Sequence, residues 1–520
     1  MSSHPNGAEV LVKTLLAGKV DVCFANPGTS EMQFVAALDT VPGMRCVLGL
    51  FEGVVTGAAD GYGRMADRPA ATLLHLGPGM ANGLANIHNA RRGGSPMVNI
   101  VGEHATWHKA ADAPLHSDIE ALARPMSHWV RTSQCSADIA RDAVDAINFA
   151  NSSSGRIATL ILPADTAWEP GPEVGTGFAT PALGLPVAAV LERAAKALAD
   201  AAPGECAIML SGRALRAEPL TTASRIAEKT GARLLAQQSN SRTERGAGRV
   251  PVERVPYPVD QALARLKGLK RLILVGAKAP VSFFAYPGKP SSVLPPDCEV
   301  IRLAGPAEDL PATLSMLAER VGAAGTAPRV PEIARPALPS GKLTADAVLQ
   351  AVGALLPEQA ILVDEAVTSG RALFDFTGGS APHDYLQLTG GAIGSGLPMA
   401  TGAAVACPDR KVISLEGDGS GMYTLQALWT QARENLDVLT IVFANRGYQI
   451  LKGELKGVGV EKAGEQAERM LTIASPELDW VSLAKGMGVE AAQTDSADEL
   501  VKLMRGALAR RGPFLIQVNI

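Results

Sequence analysis

Val412-Ile413-Ser414-Leu415-Glu416-Gly417-Asp418-Gly419-Ser420-Gly421 runs from an apolar stretch into a glycine-rich turn, and a helical pattern follows from about Tyr423 to Arg433. A second apolar stretch, Val438–Phe443, ends at Ala444-Asn445-Arg446-Gly447-Tyr448. Short apolar runs alternating with helical segments indicate parallel strands covered on both faces. Ligands of such sheets gather at the carboxyl ends of the strands, where both polar turns fall. Glycines let the backbone approach a phosphate, and a helix start offers it free N–H groups. Asp418 suits a hard cation, Asn445 adds a side-chain oxygen and Gly447 a main-chain carbonyl. Magnesium fits this all-oxygen set.

The same alternation extends over the 520 residues. Val20–Phe24, Cys46–Leu50, Ala71–His75, Met97–Val101 and Ala158–Leu162 read as strands, with helical patterns at Ser30–Leu38 and Glu52–Met65. Cys206–Leu210 and Arg271–Val275 follow, then Ala360–Val363 and Phe514–Val518. Two stretches rich in Pro and Gly, 167–186 and 322–341, lack periodicity and read as linkers. They divide the chain into three doubly wound parallel-sheet α/β domains, 1–170, 187–322 and 341–520.

Composition narrows the function. With 47% apolar and 19% charged residues, the chain can bury large cores and is not disordered. A net charge of −4 without a basic run gives no footprint for nucleic acid or an anionic membrane. The six cysteines are scattered with no C-x-x-C pair, which argues against a disulfide scaffold and a zinc site and suits a reducing compartment. No signal peptide or 18-residue apolar window is present, so the expected location is cytoplasmic.

Asn445 stands 27 positions after Asp418. This spacing resembles the thiamine-diphosphate signature, Gly-Asp-Gly followed after about 25 residues by a pair of asparagines. Ala444 replaces the first of the pair, and Asn445 matches the ligating second. The chain as a whole resembles three-domain thiamine-diphosphate enzymes of the acetolactate synthase, pyruvate decarboxylase and benzoylformate decarboxylase superfamily. The resemblance implies a pyrimidine-binding first domain, a central domain and a diphosphate-binding third domain. It implies that Gly417, Gly419, Ser420, Gly421 and Tyr448 meet the cofactor, that Thr368 and Ser369 contact the diphosphate, and that Ile393 props the cofactor while the Gly391 carbonyl accepts from its aminopyrimidine. Glu52, otherwise a helix-start acid, matches the glutamate that activates the pyrimidine. His75 closes a strand before Leu76-Gly77-Pro78-Gly79-Met80-Ala81-Asn82, where benzoylformate decarboxylase-like enzymes carry a proton-transferring His. Thr29, in Asn26-Pro27-Gly28-Thr29-Ser30-Glu31, is either a helix N-cap or a hydroxyl for the substrate carboxylate.

Departures shape the assignment. The aromatic-glutamine pair of acetolactate synthases falls on Pro114 and Leu115, so the glutamine is absent. The second His of aryl-decarboxylases has no match in Pro280–Tyr286. His116 is the candidate to substitute, against a reading in which His104, His108 and His116 are all solvated. No G-x-G-x-x-G marks the middle block, which argues against FAD. Glu454 either lines a polar pocket or turns to solvent. The expectation is a magnesium- and thiamine-diphosphate-dependent 2-oxo acid decarboxylase with possible carboligation, acting as a homodimer or homotetramer with shared active sites. An acetolactate synthase-like carboligase is the alternative within the class, and a degraded regulatory subunit the alternative outside it.

Overall fold

The computed structural model describes residues 5–520. Its first sheet holds six parallel strands, β1 (Val22–Ala25), β2 (Arg45–Leu48), β3 (Ala70–Leu74), β4 (Met97–Glu103), β5 (Trp129–Thr132) and β6 (Ile157–Pro163), in the order β2-β1-β3-β4-β6-β5. The middle segment contains β7 (Cys206–Leu210), β8 (Arg233–Ala236), β9 (Thr243–Arg245), β10 (Glu253–Arg254), β11 (Arg271–Val275) and β12 (Glu299–Ala304). Five of these form a parallel sheet, β10-β8-β7-β11-β12. The third sheet is built from β13 (Ile361–Glu365), β14 (His383–Gln387), β15 (Val412–Gly417), β16 (Val438–Ala444), β17 (Glu490–Thr494) and β18 (Phe514–Asn519), in the order β17-β18-β16-β15-β13-β14-β9. Three doubly wound α/β units are therefore present, and both proposed linkers lack sheet strands.

The middle segment also contributes to its neighbour. Strand β9 leaves its own unit and pairs antiparallel with β14, His383 opposite Arg245 and Tyr385 opposite Thr243. The pairing covers the edge of β14 and leaves a strand of only three residues at the sheet's border. Arg245 then stacks over Phe374 at 3.5 Å and donates to Thr377 Oγ1 at 2.7 Å.

The first and third units share one hydrophobic core, in which Phe24, Val55 and Met80 lie in the same cluster as Val363, Met399 and Val412. Two glycine-bearing helices form the seam, Glu52–Ala66 and Gly396–Ala406. A Cβ on Gly402 would lie 1.8 Å from the Ala58 carbonyl oxygen, and one on Gly61 would lie 2.1 Å from that of Met399. The contact is thus backbone against backbone. The Gly396–Ala406 helix is apolar on nearly every side because it is buried on nearly every side.

The helix expected from Tyr423 to Arg433 is split. A short turn spans Asp418–Gly421, and the helix proper is Ala427–Arg433. Between them the Thr424 hydroxyl donates to the Gly394 carbonyl at 2.9 Å, drawing the chain toward the Gly390–Gly394 loop. Among the described residues, no helix is long and apolar enough to cross a membrane.

Candidate active site

The carboxyl ends of β15 and β16 carry the metal candidates, as the apolar runs required. Asp418 is buried, and its two oxygens accept from the Gly419 N–H at 2.9 Å and the Arg446 N–H at 2.6 Å. Burial pushes its carboxyl above the ordinary range while those N–H bonds oppose the rise. The Arg446 contact ties the two turns together. Arg446 itself has φ +59°, left-handed for a non-glycine residue, between Asn445 and Gly447. Asn445 Oδ1 accepts from the Gly447 N–H at 3.2 Å, so the amide oxygen lies over the same turn. The Asp418 carboxylate, the Asn445 amide oxygen and the Gly447 carbonyl thus stand on two turns joined by the Arg446 bond, and oxygen donors of these types suit magnesium. A Cβ on Gly419 would lie 2.5 Å from the Tyr448 ring, so Tyr448 packs directly on the Gly417–Gly421 turn.

The loops around this turn are held by residues remote in sequence. Gly391 has φ +83° and Gly394 φ +91°, conformations that favour glycine. The loop lies along the Leu76–Gly93 helix. Asn89 donates to the Ala392 carbonyl at 2.7 Å, and Asn86 donates to the carbonyls of Gly53 and Gly394 at 2.8 and 3.2 Å. Ile393, the candidate prop, is half-buried between these contacts. Beneath the loop, Glu365 at the end of β13 accepts from the N–H groups of Ser395 at 3.1 Å and Gly396 at 2.8 Å. Glu416 lies against it, and burial together with this neighbouring carboxyl raises Glu416 well above the usual range. Thr368 and Ser369 are half-buried just after Val367, whose φ of +50° is unusual for a β-branched residue. Among the left-handed non-glycine residues, Arg446 stands beside the Asp418 turn, Val367 before Thr368, and Leu76, φ +48°, directly after His75. Strain of this kind concentrates at functional loops.

Glu52 begins its helix at the carboxyl end of β2, buried, with Oε2 accepting from Asn82 Nδ2 at 3.0 Å. A Cβ on Gly79 would approach Oε1 to 3.1 Å. The Gly-Pro-Gly-Met-Ala-Asn stretch therefore supports the glutamate directly.

His75 meets a partner that the sequence did not single out. Its Nδ1 lies 2.9 Å from Glu31 Oε2, and the Glu31 side chain is fully buried while the imidazole is 21% exposed. Glu31 also accepts from the Gly28 N–H at 2.8 Å and the Ser30 hydroxyl at 2.7 Å. A carboxylate only accepts, so Nδ1 donates and Nε2 is the nitrogen left for chemistry. Gly28 and Gly102 make room for the pair. A Cβ on the first would strike the His75 ring at 2.1 Å, and on the second would strike Glu31 at 1.6 Å. The hydroxyl beside His75 belongs to Ser30, at 3.4 Å from Nδ1, whereas Thr29 is exposed in a 3-10 turn.

His116 lies on the loop before Ser117, whose hydroxyl sits where a Cβ on Gly77 would stand. Its Nδ1 is 3.1 Å from Asp112, and its ring is 6.4 Å from that of His104, which lies 5.7 Å from His108. The loop thus adjoins the helix start after His75. Glu454 turns neither into a polar pocket nor to open solvent. It accepts from the Tyr257 and Tyr286 hydroxyls of the middle unit at 2.8 and 2.7 Å.

Comparison with known proteins identifies the family. Residues 5–123 match the family described as thiamine pyrophosphate enzyme, N-terminal TPP binding domain, and residues 369–518 match the C-terminal TPP binding domain. The chain is 52% identical to "Putative acetolactate synthase large subunit IlvX" of Mycobacterium tuberculosis, over 99% of both chains. It is 29% identical to a benzoylformate decarboxylase of Pseudomonas aeruginosa, over 95% of both. A solved Rhodococcus jostii thiamine diphosphate-dependent 4-hydroxybenzoylformate decarboxylase superposes with a TM-score of 0.86 at 25% identity, over 99% of both chains. With these matches at both ends of the chain, this protein belongs to the thiamine pyrophosphate enzyme family.

Proposed function

We propose that the protein is a magnesium- and thiamine-diphosphate-dependent decarboxylase of 2-oxo acids. The observation that carries this reading is the buried Glu31 acceptor fixing His75 at the carboxyl end of β3. In this reading Asp418, Asn445 and Gly447 hold the cation, and Gly417, Gly419, Ser420 and Gly421, with Thr368 and Ser369, face the diphosphate. Gly391 and Ile393 support the rings, and Tyr448 closes the turn. When bound, thiamine diphosphate supplies a nucleophilic carbon and an acceptor for the electron pair left as carbon dioxide departs. Glu52 holds a proton at one carboxyl oxygen while Asn82 fixes the other, which suits proton exchange with the pyrimidine. His75 delivers a proton from Nε2 to the product carbon and recovers it from solvent. Glu31 keeps Nδ1 protonated throughout, so the ring passes from imidazolium to the neutral Nδ1–H form as Nε2 gives up its proton and back as it regains one. Thr29, Ser30 and His116 line the approach on the side of the substrate carboxylate.

The 52% identity to a protein named as an acetolactate synthase large subunit supports a second reading, carboligation of two 2-oxo acids. The proton delivered by His75 favours release of an aldehyde instead. We infer a homodimer or homotetramer as the active unit, and a fully active monomer in sedimentation would contradict it. Carbon dioxide release from a panel of 2-oxo acids, with and without thiamine diphosphate and magnesium, tests the assignment. Release that depends on both is expected, and no release from any member would overturn it.

A further inference from the structure

A cavity lies away from the Asp418 turn, where the first unit, the 167–186 linker region and the middle unit meet. It encloses about 210 Å³ and is walled by the segments 63–67, 93–96, 150–155 and 212–216, with Thr180, Leu183 and Ser241. Its basic side chains are Arg64, Arg213 and Arg216. Arg64 is satisfied by Asp60 at 2.7 Å and by the Gln387 carbonyl at 2.6 Å. Arg213 and one nitrogen of Arg216 make no such hydrogen bonds. Arg213 is half-buried, and its guanidinium has no hydrogen-bond or ion-pair partner among the described residues. Arg216 gives one nitrogen to Asp67 at 2.8 Å, while its buried Nη1 makes no hydrogen bond and stands 3.8 Å from Glu244. Burial and the neighbouring Arg242 pull the Arg216 guanidinium down to about 10, while Asp67, Glu244 and Asp384 oppose the fall.

The rest of the wall is mostly backbone and small side chains. Gly94 at φ +67°, Gly155 at φ +120° and Gly212 at φ +59° present bare backbone. A Cβ on Gly155 would lie 2.4 Å from the Gly94 carbonyl oxygen. The Ser154 hydroxyl, 3.3 Å from where a Cβ on Gly94 would stand, has no protein partner among the described residues. The single acid of the wall, Asp67, is already engaged by Arg216 and by Arg242 at 3.6 Å. Gly212 also follows β7, so the cavity opens at the carboxyl end of a parallel strand of the middle sheet, a usual place for ligands in such sheets. Its volume is below the range of roughly 300–1,000 Å³ typical of drug-sized ligands, which restricts the occupant to a small molecule.

We propose that this cavity is a binding site for a small oxyanion, a phosphate- or carboxylate-bearing metabolite held by Arg213, Arg216 Nη1 and the Ser154 hydroxyl. An occupant would clamp the first and middle units together. Through Arg64, which also donates to Thr389 Oγ1 at 3.0 Å, it would stiffen the approach to the Gly390–Gly394 loop.

The test uses the full chain saturated with thiamine diphosphate and magnesium, so that the diphosphate site cannot take the probe. Thermal unfolding is followed in titrations of inorganic phosphate and, separately, malonate at constant ionic strength. A saturable rise in Tm with either probe is expected, and the effective probe identifies phosphoryl or carboxylate recognition. Arg213→Gln, which breaks no contact in the free protein, should weaken the response about tenfold or more, as loss of a charge-assisted bond predicts. Arg216→Gln should do the same where it folds. No shift with either probe, or an undiminished shift in Arg213→Gln, would overturn the proposal.

Discussion

Glu31 Oε2 lies 2.9 Å from His75 Nδ1, and the two residues reach each other from the ends of adjacent strands, β1 and β3. The acid is buried beneath an imidazole that is partly open, so the carboxylate acts on the ring and the ring on whatever lies above it. Gly28 and Gly102 pack against the pair so closely that neither position tolerates a side chain.

Glu31 is therefore a positioning residue. Glu31→Gln keeps an acceptor for the Gly28 N–H and loses the fixed charge opposite Nδ1. It should lower kcat by about tenfold to a hundredfold with KM little changed, and shift the pH profile of kcat. Steady-state kinetics across pH checks this. A kcat and a pH profile equal to wild type would mean that Glu31 serves only the fold.

Glu52→Gln should fold and bind thiamine diphosphate, because the amide oxygen still accepts from Asn82. It should slow hydrogen–deuterium exchange at the cofactor's thiazolium carbon by about 10²-fold or more, the usual scale for loss of an acid–base group. Acid-quench NMR measures the exchange.

Asp418→Ala removes the one carboxylate of the donor set and the acceptor that ties the Arg446 N–H to the Gly417–Gly421 turn. Magnesium-dependent binding of thiamine diphosphate should weaken by about a hundredfold or more in calorimetry. Unchanged affinity would remove Asp418 from the metal site.

Gly402→Ala places a methyl 1.8 Å from a helix backbone oxygen that cannot step aside. It should cost about 3 kcal/mol, at the upper end of overpacking penalties. A fall in Tm with the two helices parted is the expected result, and an unchanged Tm would mean that the seam is not rigid.

What the sequence disclosed and what it hid follows from range. Strands β15 and β16 announce themselves by continuous apolar runs, and the turns that follow them carry Asp418 and Asn445 within 27 positions. His75 was legible at the end of an apolar run, whereas Glu52 reads locally as a plain helix-start acid and gained its role only through the resemblance carried by the Asp418 and Asn445 turns. Glu31 was visible only as a first-turn acid, because its partner lies 44 positions away and no local pattern links them. Asn86 and Asn89 were legible in principle, since with Asn82 they recur at helical spacing on one face of the Leu76–Gly93 helix. Their partners, some 300 residues away, gave them no local meaning. Strand β9 was hidden for a different reason. Thr243-Glu244-Arg245 has no apolar run, because an edge strand that crosses to another unit's sheet is stabilised by pairing with β14 and by the Arg245 stack on Phe374. The split of the Tyr423–Arg433 helix likewise depends on a contact with Gly394.

The most direct test of the account is the fate of pyruvate and of a bulkier 2-oxo acid in the wild-type protein and in His75→Ala, with products resolved by NMR. If His75, fixed by Glu31, delivers the closing proton, the wild type releases aldehyde as its main product, and His75→Ala loses aldehyde release by about 10²-fold while still binding thiamine diphosphate. Acetolactate as the dominant product from pyruvate, formed at an unchanged rate in His75→Ala, would contradict the account and establish carboligation in its place.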